Sequence, residues 1–116
     1  MKYFNCLFIC SSSKDRSPAL VNYFKEVYPL HSYKNAGVNK YFTAKHKTTY
    51  LSQDALDWAD LIVFAEPIHH QVASKNFELE NKQHVILSCG EYAQGCLNDD
   101  YLTKAEEILK PYLEIE

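Results

Sequence analysis

Residues 8–20 read FICSSSKDRSPAL. An apolar run, YFNCLFI at residues 3–9, leads into Cys10. Five small or polar residues follow, then Arg16, then Ser17 and Pro18 at the head of a helix-forming segment. Arg16 is the single arginine of a chain with eleven lysines. The pattern is strand, C-x5-R-S-P, helix, and each part has a physical use. The turn from Ser11 to Asp15, through Ser12, Ser13 and Lys14, can direct successive backbone N–H groups inward as an anion nest. The following helix adds its positive N-terminal end. Arg16 offers a planar fork that matches two phosphate oxygens, a geometry lysine lacks. The same positive field favours the thiolate of a cysteine placed there. A Ser17 hydroxyl within reach would stabilise that thiolate, giving a nucleophile at neutral pH.

Working outward, residues 3–9 predict a buried strand. Ser17 caps and Pro18 opens a helix whose face carries Leu20, Tyr23, Phe24 and Val27, and Pro29 ends it. A short strand is expected at 31–36. Residues 38–50, VNKYFTAKHKTTY, read as a loop. Ser52 caps QDALDWA, with Leu51 and Leu56 as a hydrophobic staple. LIVFA at 61–65 and HVILS at 84–88 are apolar runs of the kind covered on both faces of a sheet. Pro67 opens a helix to about Lys75. That helix is expected to carry His69 and His70 away from the strand ends, and Trp58 reads as core. The last helix, YLTKAEEILKPYL, buries Leu102, Ala105, Ile108, Leu109 and Tyr112. The order β-α-β-α-β-α-β-α predicts an α/β fold, a parallel sheet with helices on both faces. Such sheets bind ligands beyond the carboxyl ends of their strands, where Cys10 stands.

The whole length, 1–116, fits one domain, and 47% apolar residues are enough for a core. A net charge of −3 supplies no general attraction to nucleic acid or anionic membrane. No apolar run reaches the length of a membrane span, and MKYFNCLFI reads as a strand, not a leader. Cys6, Cys10, Cys89 and Cys96 form no CxxC pair and no zinc spacing. Free thiols in a reducing, cytoplasmic compartment are expected. His69 and His70 have no acidic or cysteine partner at ligand spacing, so no metal is expected.

The stretch from Cys10 to Ser17 resembles the phosphate-binding loop of the low-molecular-weight protein tyrosine phosphatases. More closely, the chain resembles the short predicted tyrosine phosphatases of that superfamily. Three features carry the resemblance in order: Asp15–Pro18 (DRSP), Ala36–Val38 (AGV) and Leu56–Pro67 (LDWADLIVFAEP). It implies a three-layer sandwich around a four-stranded parallel sheet, and two-step phosphomonoester hydrolysis without a cofactor or metal. Cys10 would attack phosphorus, and Arg16 with the amides of Ser11, Ser12, Ser13, Lys14 and Asp15 would hold the equatorial oxygens. Ser17 would stabilise the thiolate. The substrate would be a phosphorylated protein or a small aryl phosphate. Tyr41 and Phe42, and Tyr92 from the opposite loop, would wall the pocket and stack on the substrate ring; loop packing is the alternative for the first two.

The family's general acid is an aspartate in an Asp-Pro pair, and this chain has no Asp-Pro. Asp99 best matches its position, with Asp100 and Glu91 as alternatives. Asn98, Asp99 and Asp100 also suit an ordinary helix N-cap. The family loop has Gly-Asn where this chain has Ser12-Ser13, and a second cysteine where it has Asp15. Two rival functions follow: a phosphate or phosphoprotein binding module without a competent acid, and an arsenate or redox reductase using Cys89 and Cys96.

Overall fold

The computed structural model describes residues 3–11, 16–79, 82–88 and 99–114, and for Arg16, Asp99 and Asp100 the backbone alone. Four strands form one parallel sheet: β1 (Asn5–Cys10), β2 (Ser32–Gly37), β3 (Leu61–Phe64) and β4 (Gln83–Ile86). Their spatial order is β2-β1-β3-β4. The helices are α1 (Arg16–Val27), α2 (Lys40–His46), α3 (Gln53–Trp58), α4 (Pro67–Asn76) and α5 (Asp99–Leu113). This is the α/β architecture expected from the sequence.

The central strands explain why their sequences are apolar without alternation. Cys6 and Phe8 of β1 and Leu61 and Val63 of β3 face a core with Leu20, Val21 and Phe24 of α1 and Tyr101, Ala105 and Leu109 of α5. Leu7 and Ile9, with Ile62 and Phe64, face a second core with Leu51, Leu56 and Ala73 of the α3–α4 side. Each fully buried Leu, Ile or Phe contributes roughly 1.5–3 kcal/mol. A strand serving two cores therefore has no place for a polar residue. β4 departs from expectation: Gln83 and His84 are exposed and Val85 is buried, as befits an edge strand.

Other corrections are local. The loop expected over 38–50 contains α2. Its N-cap is Asn39, whose side chain accepts the Phe42 N–H at 2.9 Å, and it ends at Lys47 in the left-handed region with φ 56°. Helix α1 starts one residue earlier than Ser17, so Ser17 lies inside it and its buried side chain does not cap it. On its apolar face Leu20 and Phe24 are buried as expected, Val21 joins them, and Val27, the last residue of the helix, is exposed. Trp58 packs at the rim of the second core, with the Lys34 ammonium 4.4 Å from its ring centroid. The Ser52 cap stands as expected, accepting the Ala55 N–H at 3.1 Å.

His31 closes the first layer. Its Nδ1 accepts the Phe4 N–H at 2.9 Å, so Nε2 carries the proton and donates to the Leu113 carbonyl at 2.9 Å. The start of β1 is thus tied to the end of α5. The Tyr23 hydroxyl donates to the Glu106 carboxylate, a second tie between α1 and α5.

His70 and His84 stack at 4.5 Å between ring centroids, beside the edge of Phe64. Partial burial, then the nearby His84 charge, hold His70 below the ordinary histidine range. The unfolded chain then binds more protons than the folded one below about pH 6.5. Stability is expected to decline as pH falls through that value and to level off below the folded-state pKa. Thermal melts against pH check this: His70→Gln flattens the decline, and an unchanged profile would remove His70 as its cause.

Candidate active site

The two crossovers leaving β1 and its neighbours define where a ligand can sit. β2 lies on one side of β1 and β3 on the other, so the strand order reverses at β1, the kind of switch point beyond whose carboxyl ends parallel sheets bind ligands. Cys10 is the last residue of β1, 3% exposed, and pairs in register with Gly37 of β2. The AGV element therefore lies directly beside it. The Val38 N–H donates to the Cys10 carbonyl and the Asn39 N–H to the Ser11 carbonyl, both at 2.9 Å. On the other flank the Ala65 N–H donates to the Ile9 carbonyl at 2.9 Å. The exit of β1 is pinned from both sides.

Ser17 reaches back from the first turn of α1. Its Oγ lies 3.2 Å from Cys10 Sγ, and the pair is buried. A neutral thiol donates to the hydroxyl; in the thiolate the roles reverse and the Ser17 O–H donates. This bond brings the sulfur to the N-terminus of a 12-residue helix. There the first-turn amides have no intrahelical partner and the helix dipole favours negative charge. Pro18 suits this turn because its missing N–H leaves no helical bond unmade.

The second described thiol is a useful contrast. Cys6, the second residue of β1, is fully buried, and burial pushes its thiol far above the ordinary range. It stays protonated and belongs to the core.

His69 departs from the expectation that α4 carries it away from the strand ends. Helix α4 starts at Pro67, three residues after β3 ends, so its first turn stands over the carboxyl edge of the sheet. There His69 is 1% exposed and its Nε2 lies 3.1 Å from Ser11 Oγ. Pro67 signals the helix start in the sequence, but not which loop that start faces.

Tyr41 and Phe42 lie in the first turn of α2, not in a loop. They are 70% and 42% exposed and pack edge-to-face with ring centroids 5.5 Å apart. Ser12, Ser13, Lys14, Asp15, Glu91 and Tyr92 lie outside the described residues, as do Cys89 and Cys96. Arg16 occupies the first position of α1, and Asp99 and Asp100 the first two of α5. Among the described residues no group of three or more His, Cys, Asp or Glu could hold a metal ion. Nor is any described helix long and apolar enough to cross a membrane.

No protein-family model and no curated protein matches the chain. Solved structures do, along nearly their whole length. The chain superposes on the tyrosine phosphatase Wzb from Escherichia coli K30 in complex with phosphate with a TM-score of 0.70, at 18% identity over 97% of this chain and 98% of that one. The YwlE arginine phosphatase from Geobacillus stearothermophilus gives 0.65, at 20% identity over 92% and 86%. A low-molecular-weight protein tyrosine phosphatase from T. tengcongensis gives 0.61, at 18% identity over 90% and 91%. The chain has the fold of the low-molecular-weight protein tyrosine phosphatases.

Proposed function

We propose that the chain is a cysteine-dependent phosphatase that hydrolyses phosphomonoesters of the phosphotyrosine type through a phosphocysteine on Cys10, acting as a single domain in the cytoplasm. The observation that carries the reading is the Cys10–Ser17 hydrogen bond at the head of α1, beside Arg16. A core cysteine needs neither the hydroxyl partner nor the helix end.

In the first step the Cys10 thiolate attacks phosphorus. The S–P bond forms as the bond to the leaving oxygen breaks, and that oxygen takes a proton from Asp99. Arg16 and the amides of residues 11–15 hold the three equatorial oxygens as charge builds on them. In the second step the Asp99 carboxylate takes a proton from water, whose oxygen attacks phosphorus. The S–P bond breaks, phosphate leaves, and the thiolate returns to its Ser17 partner. Tyr41 and Phe42 flank the aryl group of the substrate.

Asp99 is tested by its amide. Asp99→Asn is expected to slow p-nitrophenyl phosphate hydrolysis by about 10²-fold or more, the usual size for a lost general acid. It should also remove the alkaline limb of the pH profile, where the parent's acid would lose its proton. A variant as fast as the parent transfers the role to Asp100 or Glu91.

A second substrate class has a specific reason behind it, since an arginine phosphatase shares the fold. Phosphoarginine carries a P–N bond, and its leaving guanidine also needs a proton. Comparing kcat/KM for phosphotyrosine and phosphoarginine peptides decides between them; the proposed reading expects phosphotyrosine to lead.

A further inference from the structure

Among the described residues, three polar side chains are buried: Ser17, Thr43 and His69. Thr43 bonds within its own helix, donating to the Lys40 carbonyl at 3.1 Å. The other two both serve the exit of β1. Ser17 meets Cys10, and His69 meets Ser11, the next residue. A buried imidazole is costly unless both ring nitrogens are engaged. Here the engagement is ordered. The Glu66 N–H donates to Nδ1 at 3.1 Å, which fixes the neutral tautomer with its proton on Nε2. Nε2–H then donates to Ser11 Oγ at 3.1 Å.

Ser11 is thereby held twice. Its carbonyl accepts from Asn39 at the β2–α2 junction, and its hydroxyl accepts from His69 at the β3–α4 junction. The first residue of the cradle cannot rotate without breaking one of these bonds. The residues proposed to cradle phosphate follow Ser11 directly in the sequence.

We propose that His69 is a positioning residue of the phosphate cradle: it orients Ser11, and through Ser11 the loop that receives the phosphoryl group. Its proposed action is through Ser11 and not on the reacting sulfur. The proposal rests on the phosphatase reading, so phosphate affinity is measured beside turnover to separate the two.

The alternative role is local. Nδ1 could serve only to cap the Glu66 N–H at the start of α4. Ser11→Ala separates the two, because it leaves that cap in place and removes the Ser11 link. Gln at this helix position can also accept the N-cap amide with its oxygen and still donate with its nitrogen.

The experiment is a double-mutant cycle on the full chain: parent, Ser11→Ala, His69→Ala, the double variant, and His69→Gln. Each is measured for kcat and KM on p-nitrophenyl phosphate, Kd for inorganic phosphate, and Tm. The expected result is a loss of about tenfold or more in kcat/KM for each single alanine variant, the scale of a small misplacement of reacting groups. Phosphate affinity falls in parallel. Ser11→Ala keeps the parent Tm, the double variant falls no further than the weaker single, and His69→Gln recovers most of the activity. Independent, multiplying losses, or a Ser11→Ala variant equal to the parent, overturn the positioning role while leaving the phosphatase reading in place. If the parent is inactive but binds phosphate, the same cycle is read in Kd: coupled losses support the positioning role, and independent losses overturn it. A parent that neither turns over p-nitrophenyl phosphate nor binds phosphate overturns both.

Discussion

Cys10→Ser is expected to lower p-nitrophenyl phosphate turnover by at least about 10⁴-fold, the scale seen when a covalent nucleophile is removed from its catalytic set. The fold should survive it. Cys10 is buried at the end of β1, and a serine there is smaller and can exchange a hydrogen bond with Ser17 as the thiol does. The loss is therefore chemical. A serine hydroxyl does not ionise near neutral pH, and the Ser17 hydroxyl beside it is no base to take its proton. The stabilisation offered by the helix end and Ser17 acts on an anion, and serine supplies none. Melting curves that match the parent, together with abolished turnover, are the expected pair. Turnover close to the parent's would place the chemistry elsewhere.

Arg16→Lys is expected to reduce kcat/KM by about 10²–10³-fold, the range for losing a principal oxyanion donor. Net charge is unchanged by this substitution, so long-range attraction of a dianionic substrate is preserved. What is lost is the planar two-pronged contact that follows equatorial oxygens as the phosphoryl group flattens. The eleven lysines of the chain leave no shortage of positive charge, which is why the fork geometry and not the charge is under test. Measuring KM and kcat separately checks it: the loss should fall mainly on kcat. A lysine variant with parental kcat would reduce Arg16 to a general electrostatic role.

Much of this fold is legible in the sequence because two strands bury both faces. LIVF at 61–64 and CLFI at 6–9 could sit nowhere but mid-sheet, and the helices between them require a parallel arrangement. The Cys10–Ser17 pair is legible for a related reason: both lie in one short segment, where spacing and contact nearly coincide. Three features are not. Helix α2 has one buried residue, Thr43, and so no apolar stripe; Asn39 and the left-handed Lys47 hold its ends, and only Asn39 is a sequence signal. Val27 has the spacing of the buried face, but it is the last residue of α1 and stands exposed there. His69 needs a fact no local pattern contains: β3 lies next to β1 with its carboxyl end alongside. In a parallel sheet that adjacency brings the first turn of α4 to the loop after β1, across 58 residues of sequence.

Every step proposed for this chain passes through a phosphoryl group carried on Cys10, and rapid-quench mass spectrometry observes that group itself. The parent is mixed with an aryl phosphate, stopped within the first turnover and digested. One phosphoryl group is expected on the peptide containing Cys10, appearing with the released phenol and decaying as inorganic phosphate forms. Steady turnover with Cys10 unmodified at every time point, or phosphate carried by another residue, would refute covalent transfer to this cysteine.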